Sequence, residues 1–232
     1  MNKPPHFLGI GAQKAGTTWL YRQLNQHPSI FMSTKKELRF FFDANQSVEW
    51  YRDQFKAARP DQLCGEITPE YMIKREAARE ISELLPQVKL ICLLREPAGR
   101  AFSQWCMARQ LGNIPKDTPL STAFQENLQF IRERGHYVEH IENYRNWFPA
   151  SQIQVFFYED LVLEPHRLWR EVLRFLGVDD TFVPANLIAP VNRRESDERM
   201  SEEDNAFIAE YYAPWNQRLS RFLGQRLSNW NR

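Results

Sequence analysis

Short apolar, β-rich runs recur along the chain at residues 7–11, 29–32, 62–67, 88–94 and 152–158. Between most of them, apolar positions return at three- and four-residue spacing over 17–26, 49–57, 76–85, 98–111, 138–148 and 165–176. Alternating strand-like and helix-like segments predict a parallel sheet of about five strands covered by helices, an α/β/α arrangement in three layers. The run 88–94 is nearly continuously apolar, as expected of a central parallel strand buried on both faces. Leu168, Val172, Phe175 and Leu176 form a helical stripe that Gly177 closes. Residues 178–204 turn polar and predict a long loop. A last helix is expected at about 202–223, carrying Phe207, Ile208, Tyr211, Leu219 and Phe222 and interrupted by Pro214.

The length, 232 residues, suits one domain spanning 1–232, and 43% hydrophobic residues suffice for its core. Formal net charge is +1, from 30 Lys+Arg against 29 Asp+Glu. That balance argues against a nucleic-acid partner, so an anion site has to be a local arrangement. Cys64, Cys92 and Cys106 are widely spaced and odd in number, which fits a reducing compartment rather than a disulfide framework. His136 and His140 can share a helix face but lack a third ligand, and are read as surface residues; no metal site is expected. No apolar leader and no run of membrane-spanning length is visible, so a cytoplasmic protein is expected.

The first apolar run leads into Gly11-Ala12-Gln13-Lys14-Ala15-Gly16-Thr17-Thr18-Trp19, followed by a helix-period segment. Strand, glycine-containing turn and helix is the context in which backbone N–H groups converge on an anion. A nucleotide-kinase loop would carry lysine and a hydroxyl residue directly after its second glycine. Here Gly16 is followed by two threonines and the lysine stands earlier, at Lys14. The loop still favours phosphate, as in a P-loop-like fold, but its cation is aimed elsewhere, which argues against the usual magnesium chemistry.

Two more segments should reach the carboxyl ends of the strands, where open parallel sheets bind ligands. In Ser33-Thr34-Lys35-Lys36-Glu37-Leu38-Arg39-Phe40-Phe41-Phe42, charged groups stand against three phenylalanines. Burial would raise the pKa of Glu37 and the adjacent cations would lower it; the residue reads as a general base or as a helix-start glutamate. In Arg95-Glu96-Pro97-Ala98-Gly99-Arg100-Ala101-Phe102-Ser103, the arginine emerges at a strand end and the serine lies on the following helix. A guanidinium and a hydroxyl converging there make a second anion site.

Together these segments resemble the sulfotransferases that use 3′-phosphoadenosine 5′-phosphosulfate (PAPS). Lys14-Ala15-Gly16-Thr17-Thr18-Trp19 is similar to that family's 5′-phosphosulfate loop, K-x-G-T-T. Arg95 and Ser103 match its 3′-phosphate pair, eight positions apart. Lys36-Glu37-Leu38-Arg39-Phe40-Phe41 resembles the catalytic segment of the carbohydrate branch, and Gly65-Glu66-Ile67-Thr68-Pro69-Glu70-Tyr71 its acceptor-cleft stretch. Tyr158-Glu159-Asp160-Leu161 and Phe175-Leu176-Gly177 look like two later family motifs.

The resemblance implies in-line transfer of a sulfuryl group to a hydroxyl, less readily an amine, of a small molecule or carbohydrate. Adenosine 3′,5′-bisphosphate (PAP) would leave, and no metal would take part. Lys14 would neutralise the leaving oxygen and Glu37 would take the acceptor proton. Gln13 and Ala15 to Trp19 would line the cofactor loop. Lys36, Arg39, Thr68 and Tyr71 would face the acceptor, although Thr68 and Tyr71 also read as a turn and a core aromatic. Trp19 and Trp105 read equally as core residues. Arg193 and Arg194 are the nearest candidates for the family's late cofactor loop, or a solvated charge run. Ile67 stands where heparan-type enzymes usually carry a lysine, which argues against a polyanionic acceptor. Rival readings are a magnesium-dependent P-loop kinase acting on nucleotides or adenylylsulfate, and a non-catalytic nucleotide-binding module.

Overall fold

The computed structural model describes residues 4–43, 45–188, 198–227 and 230. In chain order the elements are β1 (Phe7–Gly11), α1 (Thr17–Leu24), β2 (Ile30–Met32), α2 (Val48–Asp53), β3 (Leu63–Ile67), α3 (Arg75–Leu84) and β4 (Lys89–Leu94). There follow α4 (Pro97–Gln110), α5 (Leu120–Gln125), α6 (Tyr137–Arg145), β5 (Ile153–Phe157), α7 (Tyr158–Leu163), α8 (Pro165–Leu176) and α9 (Glu202–Leu223). Two compact units emerge, the described residues of Met1–Leu94 with Asn143–Arg193, and those of Arg95–Glu142 with Arg194–Arg232.

The first unit holds a five-stranded sheet in the order β2-β3-β1-β4-β5, with every neighbouring pair parallel. The expected α/β fold is what forms, P-loop-like and flanked by helices. β1 is buried along its whole length and β4 at every position but its first, which accounts for their unbroken apolar runs. Trp19, Leu20 and Leu24 of α1 join Leu168, Trp169, Val172 and Leu173 of α8 in a core with Phe7, Ile91 and Leu93. Gly177 ends α8 at φ 80°, the left-handed cap the sequence predicts.

In the second unit α4, α5 and α9 pack around Phe102, Trp105, Phe124, Ile208 and Tyr212. Here two expectations change. Pro214 lies inside an unbroken α9 rather than interrupting it. Proline removes one backbone donor, and the packing of Ile208, Tyr212 and Leu219 on either side outweighs that loss. His136, read as a surface residue, is half-buried: its Nε2 is 3.0 Å from the Tyr211 hydroxyl and its ring stacks on Trp215 at 4.2 Å. Burial pushes its pKa down to about 4.

Candidate active site

The loop between β1 and α1 is fastened to the neighbouring strand, the Ala12 N–H donating to the Leu93 carbonyl at 2.8 Å. Gly16 is the N-cap of α1 at φ 96°, a backbone conformation that L side chains rarely adopt. A Cβ there would also lie 3.0 Å from Leu161, 3.1 Å from Tyr158 and 3.3 Å from Leu93. Thr17 and Thr18 open the helix. The first N–H groups of a helix have no intrahelical acceptor, and here the N-cap glycine offers them no side chain and no acidic residue occupies the first turn. That leaves a helix start suited to an anion. Lys14 sits in the loop at φ 69°, Ala15 is fully buried, and the Gln13 Oε1 is buried without a hydrogen-bond partner. A helix start closed to a Cβ at Gly16, its backbone donors and a nearby lysine fit the phosphosulfate end of PAPS, whereas the Gln13 Oε1, an acceptor, offers that anion nothing. The Trp19 ring, in contrast, lies in the core, with Nε1 donating to the Leu187 carbonyl at 2.8 Å. Only its backbone remains for the loop.

Strand register puts the second segment at the same edge of the sheet. Gly9 pairs with Ile67 on the adjacent β3, and the Glu37 N–H donates to the Ile67 carbonyl at 3.0 Å. Glu37 and Arg39 both have positive φ, 63° and 59°. Glu37 is therefore the first residue of a strained segment rather than of a helix, and its carboxylate pairs with Lys36. Arg39 is already engaged: Nε and Nη2 reach Asp43 at 2.7 and 3.1 Å, and Nη1 reaches Glu70 at 2.8 Å. The hydrogen bond it donates to Asp43 and the charges of Glu70, Asp43 and Glu37 raise its pKa.

Thr68 and Tyr71 are fully buried, and their hydroxyls are committed to the Glu66 carboxylate at 2.7 and 2.8 Å. Tyr51 of α2 donates to the same carboxylate at 3.0 Å. Sequence reading did not single out Glu66 or Tyr51 as functional. The signal for Glu66 was a lone carboxylate within an apolar strand, a residue type almost never buried without partners. Burial pushes the Glu66 pKa up, and the hydrogen bonds from Thr68, Tyr71, Tyr51 and the Leu38 N–H pull against it.

In the second unit the Glu96 carboxylate caps α4, accepting from the Ala98 and Gly99 N–H groups at 2.8 and 2.6 Å. Arg95 folds over Gly99, where a Cβ would lie 3.4 Å from its Nε. Gly99 and Ser103 are four residues apart, so Arg95 and Ser103 share one helix face, both half-buried. Trp105 is a packing residue, its Nε1 donating to the Thr118 carbonyl at 2.9 Å and its ring stacked on Phe102. Arg193 and Arg194 lie outside the described residues. Among the described residues no group of three or more His, Cys, Asp or Glu could hold a metal ion, and no helix is long and apolar enough to cross a membrane.

A family profile described as "Sulfotransferase domain" matches residues 4–207. The chain is 30% identical to the mouse bifunctional heparan sulfate N-deacetylase/N-sulfotransferase 4, over 98% of its own length and 31% of that protein. It is 23% identical to the Dictyostelium discoideum membrane-associated sulfotransferase kil1, over 95% of its length and 65% of that protein. The chain thus spans about a third of the curated heparan-type relatives it matches. A solved sulfotransferase from Alicyclobacillus acidocaldarius shares the fold with a TM-score of 0.87 at 24% identity, covering 99% of this chain and 100% of that one. A mouse sulfotransferase solved with PAP aligns at a TM-score of 0.61 and 14% identity, over 96% of this chain and 88% of that one. The chain belongs to the sulfotransferase domain family.

Proposed function

We propose that this chain transfers a sulfuryl group from PAPS to a carbohydrate or small-molecule acceptor, with Glu37 as general base. The observation that carries the reading is the pairing of a glycine-capped helix start behind Lys14 with a glutamate whose backbone N–H is bonded to the neighbouring strand end and whose carboxylate lies beside Lys36. PAPS supplies the sulfuryl group and departs as PAP. The N–H groups and hydroxyls of Thr17 and Thr18 hold the 5′-phosphate, and Lys14 neutralises the charge that develops on the leaving oxygen. Glu37 takes the acceptor's proton as the new bond to sulfur forms. Arg95 and Ser103, on the family's spacing, take the 3′-phosphate.

The acceptor is a hydroxyl- or amine-bearing molecule without a dense negative charge. Ile67 is fully buried and apolar where heparan-type enzymes carry a cation, and Arg39 is already paired with Asp43 and Glu70. The test is transfer from labelled PAPS to two amino-sugar oligosaccharides, a de-N-acetylated chitin fragment and a de-N-acetylated heparan backbone. Preference for the sugar without carboxylates is expected, and preference for the carboxylate-bearing one refutes the acceptor assignment. Failure of PAP to bind in calorimetry removes the cofactor assignment itself.

A further inference from the structure

We propose that Glu66 is a positioning residue for Glu37, fixing the segment that carries the base through a buried hydrogen-bond network. The inference rests on the reading of Glu37 as base. Glu66 is fully buried on β3 and accepts from three hydroxyls: Thr68 Oγ1 at 2.7 Å, Tyr71 OH at 2.8 Å and Tyr51 OH at 3.0 Å, with the Leu38 N–H helping to lower its pKa. Two of these donors also accept from the base segment, Thr68 Oγ1 from the Arg39 N–H at 3.3 Å and Tyr71 OH from the Phe41 N–H at 3.4 Å. With the Glu37 N–H on the Ile67 carbonyl, three backbone donors of residues 37–41 are held from β3 and the turn after it.

The polarity of the network gives the carboxylate its role. A carboxylate only accepts, so each hydroxyl facing it must donate its single proton there. The hydroxyls of Thr68 and Tyr71 are then left with lone pairs for the Arg39 and Phe41 N–H groups. An amide at position 66 would present N–H atoms to at least one hydroxyl and reverse that order. Rings reinforce the arrangement, Phe40 stacking on Tyr51 at 4.3 Å and Phe41 standing edge-on to Tyr71 at 5.5 Å. Residues with positive φ on both sides of Leu38 stay in that conformation only where their surroundings impose it.

The experiment compares Glu66→Gln with the intact protein by three readouts: PAP affinity by calorimetry, amide exchange of residues 38, 39 and 41 by NMR, and turnover of labelled PAPS with amino-sugar oligosaccharides and with water. PAP affinity is expected to stay within about twofold and turnover to fall about tenfold to hundredfold, the scale of a misplaced catalytic group. Exchange at Leu38, Arg39 and Phe41 should quicken about tenfold or more while that of Thr18 is unchanged. Thr68→Val, which keeps the side-chain shape and severs one link, should show the same pattern more weakly. It also serves if Glu66→Gln does not fold. Unchanged exchange and turnover in both variants overturn the proposal. So does a loss of PAP binding that matches the loss of turnover, the mark of a merely structural role. Glu37→Gln separates the two readings: if it leaves turnover intact the base assignment falls, whereas a slowed Glu37→Gln beside an unaffected Glu66→Gln refutes only the positioning role.

Discussion

The loop of residues 12–18 and the segment of residues 36–41 reach the same end of the sheet by opposite means. The first is made of backbone: a left-handed glycine, a helix start without a side-chain cap, and one amide tied to β4. The second is made of side chains, a segment with two left-handed non-glycine residues bonded to buried hydroxyls beneath it. A backbone cradle depends on shape, above all on the missing side chain at Gly16. A segment held by a polar network depends on the charge of one carboxylate, so chemically small changes beneath it should reach the chemistry.

The sharpest separation of the two regions is Glu37→Gln. Turnover of PAPS should fall by about 10²–10⁴-fold while PAP affinity is kept. Lys14→Ala should cost about 10²–10³-fold in turnover, the scale of losing one charge-stabilising donor. A loss confined to PAP affinity would move Lys14 from catalysis to binding. Arg95→Ala should weaken PAP about 10- to 100-fold, the worth of a charged hydrogen bond, and leave adenosine 5′-monophosphate nearly unaffected. Equal losses for the two nucleotides would misplace the 3′-phosphate. Gly16→Ala should lower stability by about 1–3 kcal/mol, because the new Cβ meets both an unfavourable φ and three side chains. An unshifted Tm would show that the cradle is looser than its contacts imply.

The smallest effect is remote from the chemistry. The folded pKa of His136 is depressed to about 4 from an ordinary 6.5, so its contribution to stability is intact above 6.5 and lost as pH falls toward 4. Thermal unfolding followed across that window should show Tm falling with acid. His136→Gln should flatten the fall only in part, since burial also lowers the pKa of His140.

Legibility in the sequence followed the range of the forces. All five strands and the longer helices could be read because burial on one or both faces imposes a period within a few residues. α5 and α7 escaped the reading, although α2, equally short at six residues, did not. The loop at Gly16 was legible for the same local reason: its glycine, threonines and lysine lie within five positions. Thr68 and Tyr71 belong to the other kind. Whether their hydroxyls meet an acceptor or a carboxylate depends on Glu66 and on Tyr51, which arrives from α2. No spacing within one segment encodes that meeting. Arg39 shows it again, because its pairing with Glu70 joins residues more than thirty positions apart.

The bond from Ala12 to Leu93 has a bearing on biosynthesis. A nascent chain emerges from its N-terminus, so the loop residues leave the ribosome long before the strand whose carbonyl they need. Until Lys89–Leu94 has followed and docked beside Phe7–Gly11, the cradle lacks one wall. On the proposed function, short nascent chains would offer the 5′-phosphate of PAP no ready-made cradle before the fourth strand is in place.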